Sequence, residues 1–204
     1  MEVVRIPIAV MIYEAAFAED LPVAEQDEVA RLRRRDPAAV AGVVGRYRHR
    51  LYRYLIRLVR EPAAADDLFQ QTWLNVVRQI GRYDARRSFD TWLFAIAHNA
   101  AMDLLRRQSG ESLEEHEYEL PAGTADSFSA VMAAERAAIL AAEMAQLPAL
   151  YREALTLRFE EGMKLEEIAE VTHAPLSTVK SRVQRALECL RQNMSARWRK
   201  EDLL

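Results

Sequence analysis

At 204 residues, half of them hydrophobic and 29% charged, the chain is long enough to bury one core or two small ones. A single cysteine, Cys189, excludes a disulfide framework and a cysteine-built zinc site within one chain, and no stretch approaches the ~20 apolar residues of a membrane span. The net charge of −3 conceals segregation: residues 31–107 hold 16 Arg against 7 acids, residues 108–149 hold 1 Arg against 8 acids, and residues 172–204 hold 7 bases against 3 acids. Two basic blocks separated by an acidic one suggest two nucleic-acid-facing modules joined by a spacer. Ala, Leu, Arg and Glu dominate and β-branched runs are scarce, which favours an all-α fold.

Residues 1–25 read as an acidic, partly apolar N-terminal extension with Pro7 and Pro22 as breakers. A helix is expected from Gln26 to Arg35. Asp36 is a good N-cap for the next helix, which Pro37 opens, and Val40, Val43, Val44, Tyr47, Leu51, Tyr54, Leu55 and Leu58 recur in it at helical spacing. Glu61-Pro62 ends that helix and starts another, with Leu68, Phe69, Trp73, Val76, Val77 and Ile80 as its stripe and Gly81 as its stop. A polar loop from Arg82 to Ser88 carries Arg86 and Arg87, with Tyr83 and Phe89 near its ends. The helix after it, about Asp90 to Gln108, turns Trp92, Leu93, Ile96, Ala97, Ala100 and Leu104 inward.

Residues 109–131 form an acidic, flexible linker that contains Gly110, Pro121 and Gly123. Helical pattern resumes from about Ala130 to Gln146, breaks at Leu147-Pro148, and runs again from Ala149 to Phe159, ending at Glu161-Gly162. Leu165, Ile168 and Ala169 then mark a short helix, Thr172 to Ala174 a turn, and Pro175 the start of a second helix. Val179, Val183, Ala186, Leu187 and Leu190 carry the apolar face of this second helix, while Lys180, Ser181, Arg182, Gln184 and Arg185 fall on the others. This is the layout of a helix-turn-helix whose second helix enters the major groove, with Ser177 and Thr178 where a phosphate would sit. The tail after Asn193 is expected to fray.

These pieces together resemble the extracytoplasmic-function (ECF) sigma factors of the sigma-70 family, over about residues 26–195. The resemblance rests on Tyr47–Leu55, Asp66–Trp73, Ser88–Asn99, Asp103–Arg107, Leu147-Pro148, Arg152–Phe159 and Leu165–Arg182, in that order and spacing. It implies a region 2 domain at 26–108 and a region 4 helix-turn-helix domain at 132–204. Region 2 would dock the β′ clamp of core RNA polymerase through Asp66, Asp67, Gln70 and Gln71. It would melt and read the −10 element of promoter DNA through Tyr83, Arg86, Ser88, Phe89, Asn99, Asp103 and Arg106. Region 4 would read the −35 element through Ser177, Thr178, Lys180, Ser181, Arg182 and Arg185 and touch the β flap.

Aromatics and cations suit unpaired bases and amides suit base edges, but the same aromatics could belong to the core and the same carboxylates to a solvated helix face. The resemblance further implies an anti-sigma partner; the lone Cys189 fits a reducing cytoplasm, no segment is long enough for membrane insertion, and no cofactor or metal is expected. The family usually carries Gly where His173 stands and often where Ser177 stands. The acidic extension beside a block of +9 over residues 31–107 leaves two readings open, mild self-inhibition of promoter binding or a loose extension without that role. An enzyme is not expected, because His49, His98, His116 and His173 are scattered and no Gly-rich phosphate loop exists. The alternative reading, a stand-alone helix-turn-helix regulator, leaves the whole first module unexplained.

Overall fold

The computed structural model describes residues 26–84, 88–109 and 140–201; for 26–29, 109 and 195–201 it describes the backbone alone. The N-terminal extension, the linker beyond Ser109, Arg86, Arg87 and the onset of the helix expected from Ala130 lie outside the described residues. Within them every regular element is helical: α1 Gln26–Arg33, α2 Pro37–Val59, α3 Pro62–Gln79, α4 Phe89–Ser109, α5 at 140–146, α6 Ala149–Leu155, α7 Leu165–Thr172 and α8 Leu176–Glu201. The chain divides into two compact units, one built by the helices up to Gln108 and the other by most of the chain after it.

In the first unit the expected start signals hold. Asp36 caps α2, its side chain accepting from the Ala38 N–H at 2.9 Å, and Pro37 fills the first helical position. Arg31 bonds the same carboxyl group at 2.7 Å and is the foremost cause holding the Asp36 pKa below its usual value. The core between α2, α3 and α4 encloses Leu51, Tyr54, Leu55, Trp73, Leu93 and Phe94. Tyr54 and Phe94 meet edge-on at 5.1 Å, joining α2 to α4.

Two details depart from the sequence expectation. Gly81 does not stop α3 as a left-handed cap; the helix tightens into a 3-10 turn, Ile80–Arg82, that buries Ile80. The inward face of α4 is also rotated from the expected stripe. Phe94, Ala97 and Ala101 are fully enclosed, while Trp92, Ala100 and Leu104 are only half-buried.

In the second unit Met144, Leu147, Tyr151, Leu155, Ala186 and Leu190 form one apolar cluster that packs α5 and α6 on α8. A buried polar pair accompanies it: Asn193 donates to Glu143 at 3.0 Å. The Arg152 guanidinium is buried too and donates to the carbonyls of Ala145 and Leu147, at 3.1 and 2.7 Å, which stitches the break between α5 and α6. After Leu155 the helix widens into a π turn, Thr156–Glu160, and Gly162 closes it at φ 70°. Leu187, expected on the apolar face of α8, stands 45% exposed, because Ala186 and Leu190 already fill the inward arc. The backbone of α8 stays helical through Glu201, past the point where fraying was expected.

Among the described residues, three helices end on non-glycine residues in the left-handed region: Arg35 at φ 56°, Arg60 at φ 63° and His173 at φ 51°. At His173 the N–H of Ala174 reaches the Ala169 carbonyl at 3.2 Å, the long bond of a Schellman cap. The position that the family fills with glycine therefore does need a positive φ here. His173→Gly should stabilise the protein by about 0.5–1 kcal/mol, the left-handed cost less the extra freedom of an unfolded glycine. A thermal melt with a lower midpoint than the parent would refute this.

Candidate nucleic-acid and polymerase interface

The start of α4 is anchored by charge and by aromatic packing. Ser88 precedes the helix, its carbonyl accepting from the Trp92 N–H at 3.2 Å, and the Asp90 carboxylate lies in the first turn, where the helix dipole favours it. Tyr47 of α2 donates its hydroxyl to Asp90, and Arg50 of α2 pairs with the other carboxylate oxygen at 2.7 Å. Burial, and then the Asp90 carboxylate, push the Tyr47 phenol far above its usual pKa.

Around this anchor four rings gather. Tyr83 lies 5.5 Å from Phe89 and 4.9 Å from Trp92, and Phe89 lies 5.4 Å from Tyr47 and 5.6 Å from Trp92. Tyr83 is only 4% exposed, and its carbonyl accepts a 2.6 Å bond from Arg33 of α1. The two aromatic ends of the loop are thus fastened to each other and to the core. In this conformation the Tyr83 ring is covered, and Phe89 is half-buried.

Asn99, Asp103 and Arg106 stand exposed along one face of α4, with Arg106 paired to Asp103 at 3.2 Å. Pairs this exposed are weak, so the guanidinium can exchange its partner for a phosphate at little cost. On α3, Asp66, Asp67, Gln70 and Gln71 are all exposed. Neither aspartate lies in the first turn of α3, so compensation of the helix dipole does not account for them.

The structure places these residues on different sides of α3. Asp66 lies against Tyr52, whose phenol is raised in pKa by burial and then by the Asp66 carboxylate. Asp67 and Gln71 face a groove of about 610 Å³, and Asn99, Asp103 and Arg107 of α4 form its other wall over Leu68, Ile96, Ala100 and Leu104. Residues assigned separately from sequence therefore share one cleft.

In the second unit the turn between α7 and α8 brings up a polar helix face. Val179, Ala186 and Leu190 point inward. Ser177, Lys180, Gln184 and Arg185 are exposed, and Thr178, Ser181 and Arg182 are half-buried. At 100° per residue, Ser177, Ser181, Gln184 and Arg185 share the outermost arc, with Lys180 on one flank and Thr178 and Arg182 on the other. The Ser181 hydroxyl is turned back onto the Thr178 carbonyl at 2.9 Å. Sequence reasoning left Gln184 out of the candidate set, although its spacing from Ser177 and Ser181 puts it there. It also missed Arg33, Tyr47, Arg50 and Asp90, whose partners lie 40 or more residues away and leave no local signal. No cluster of His, Cys, Asp and Glu fit to hold a metal occurs among the described residues, and no described helix is long and apolar enough to cross a membrane.

The described chain is thus a helical unit whose loop ends are fastened by aromatic packing, followed by a unit with a helix-turn-helix. Comparison with known proteins places it further. Sigma-70 region 2 matches residues 43–111, and Sigma-70 region 4 matches residues 137–190. The RNA polymerase sigma-H factor of Pseudomonas aeruginosa is 32% identical over 179 residues, covering 81% of this chain and 92% of that protein. CarQ of Myxococcus xanthus, an RNA polymerase sigma factor, is 36% identical over 158 residues, covering 76% and 88%. The ECF sigma factor SigW of Bacillus subtilis is 27% identical, covering 81% and 94%.

Among solved structures, CnrH in complex with the cytosolic domain of CnrY aligns with a TM-score of 0.61 at 22% identity, over 83% of this chain and 96% of that one. The sigma factor RpoE of Bartonella quintana, in complex with the anti-sigma factor NepR, aligns with a TM-score of 0.53 at 24% identity, over 71% and 89%. These two likenesses establish the shared helical fold. The chain belongs to the ECF sigma factors of the sigma-70 family and acts as a sigma factor of RNA polymerase. A stand-alone regulator is thereby set aside, since the region 2 match covers the module which that reading left unexplained.

Proposed function

We propose that the first unit docks core polymerase through Asp66, Asp67, Gln70 and Gln71 and opens the −10 element through the Tyr83–Phe89 loop, Asn99, Asp103 and Arg106, while the second reads the −35 duplex with the exposed arc of α8. The observation that carries this reading is the groove between α3 and α4, where Asp67 and Gln71 face Asn99 and Asp103. A strand held at Asn99 then lies beside the polymerase contact, which couples promoter opening to assembly of the holoenzyme. Phosphates meet the N-terminus of α8 at Ser177 and Thr178, and base edges meet Arg185, Arg182 or Lys180. Ser88 acts through the start of α4, and Tyr83 and Phe89 as the fixed ends of the loop. The chain works by binding, in the cytoplasm where the polymerase is, and catalyses no reaction itself. An anti-sigma protein that covers these surfaces is the expected inhibitor, since the similar RpoE was solved with the anti-sigma factor NepR.

Run-off transcription with core polymerase on a randomised promoter library tests the reading directly; no transcription above core alone would sink it. Asp67→Arg reverses a charge at an exposed position on the groove wall. It should weaken core association at least tenfold while the helical spectrum stays normal, and unchanged association in a pull-down would remove the α3 face from the docking site. Asn99→Ala should relax base preference on a probe whose −10 region is already melted, a loss of about 1–3 kcal/mol against the preferred base. An unaltered preference on that probe would count against base reading at Asn99.

A further inference from the structure

We propose that Arg33 is a positioning residue for −10 reading: the last residue of α1 holds the peptide plane from which the Tyr83–Phe89 loop departs. Its guanidinium donates to the Tyr83 carbonyl at 2.6 Å, across 50 residues of sequence. A peptide unit is planar, so holding its oxygen restrains the ψ angle of Tyr83 and the φ angle of Asp84 together. Those two angles set the direction in which the chain leaves the 3-10 turn. Tyr83 is extended there, at ψ 127°, and its own N–H is already committed to the Ile80 carbonyl at 3.2 Å. Its ring is held by Phe89 and Trp92, but ring packing by itself does not set ψ. At the far end of the loop the start of α4 is held by Tyr47 and Arg50 through Asp90. Arg33 supplies the matching restraint at the near end.

The bond is not needed to dock α1. Leu32 does that: it is 5% exposed and shares an apolar recess with Val43, Val77 and Ile80. Nor is it needed for the dipole of α1, because Arg31 also stands in the last turn. Arg33 itself is exposed, so burial does not dictate its choice. What the fold supplies is a rigid mount. The Asp36 N–H reaches the Arg31 carbonyl at 3.0 Å and the Arg35 N–H reaches the Leu32 carbonyl at 2.9 Å, a Schellman cap that closes around Arg33. A charged donor on a capped helix end, bonded to a main-chain oxygen of a loop, is the support that a single-base contact calls for, since such a contact tolerates only about 0.5 Å of drift. This inference rests on the reading that the loop handles the −10 element.

The test uses holoenzyme reconstituted from the full chain and core polymerase, titrated on probes with a pre-melted −10 region that differ in one base at a time. Arg33→Met keeps the aliphatic stem and removes the donors. Discrimination between the preferred base and the next at the most selective −10 position should fall about threefold or more. Affinity for core polymerase and the slope of log K against log salt should stay as in the parent. Arg33→Lys returns a cationic donor and should recover most of the discrimination. Leu58→Val, a change in the core about 16 Å along α2 from Tyr47, should lower the thermal midpoint and leave discrimination intact. Unchanged discrimination in Arg33→Met overturns the proposal, whatever its thermal midpoint. So does a lysine variant no better than the methionine one. A Leu58→Val chain that loses discrimination as well overturns it too, since general loosening then explains the effect. A flatter salt slope with all probes weakened alike also overturns it, and makes Arg33 a phosphate contact. Parent holoenzyme without any base preference on these probes would instead sink the reading of the loop.

Discussion

Alanine at Lys180, Arg182 and Arg185 together should cost a hundredfold or more in −35-dependent promoter binding. Each lost base-directed pair is worth about 1–3 kcal/mol, and each lost phosphate contact weakens all sequences alike and flattens the salt dependence. None of the three is buried, and the packing of α8 is carried by Val179, Ala186 and Leu190, so the helical spectrum should survive. Position on the helix separates the expected roles of Arg185 and Lys180. Arg185 shares the outermost arc with Ser177 and Ser181, so its single substitution should relax sequence preference. Lys180 lies on a flank, so its loss should act mainly through salt dependence. A triple variant that binds −35 promoters like the parent would remove this face from the reading surface.

Tyr83→Ala should destabilise the first unit by about 3–5 kcal/mol, the range for emptying a buried aromatic site. The ring is 4% exposed and touches both Phe89 and Trp92, so its removal opens a cavity at the junction of the 3-10 turn and α4. Tyr83→Phe keeps the ring and should lie close to the parent. Urea unfolding measures both. A cost under about 1 kcal/mol for the alanine variant would show that the ring contributes little to the core, and would favour its use as a stacking surface instead. Because the same substitution removes a candidate base contact, transcription alone cannot separate the two roles, whereas stability can.

Most of the helices were legible because their signals are local. Asp36 with Pro37, Glu61 with Pro62 and the Leu165–Pro175 stretch announce helix ends through caps and breakers within a few residues. At His173 the sequence showed only that the family usually carries glycine there, and the structure supplies the positive φ. What escaped was set by partners distant in sequence. The tilt of the α4 inner face follows from Tyr54 and Tyr47 of α2, forty residues earlier, and not from the spacing within α4. Leu187 fits a helical stripe as well as Ala186 does, yet only the partner surface of α5 and α6 decides which of them is enclosed. The site residues divided likewise. Exposure of Asp67, Gln71, Asn99 and Asp103 followed from an apolar stripe elsewhere on each helix, but their meeting across one groove depends on how α3 and α4 pack.

The buried bond between Asn193 and Glu143 gives α8 a fixed angular phase. An apolar seam tolerates slippage, since one methyl group substitutes for another, whereas a buried amide matched to one carboxylate accepts a single rotation of the helix. Asn193 lies about 24 Å along the axis from Ser177. A turn of one residue about that axis swings the outer arc by 100°, enough to carry Arg185 away from the place where Ser181 and Ser177 point. The aim of the exposed arc is therefore set some four turns along the helix, so under the proposed −35 reading substitutions at Asn193 or Glu143 should alter promoter choice without approaching the DNA.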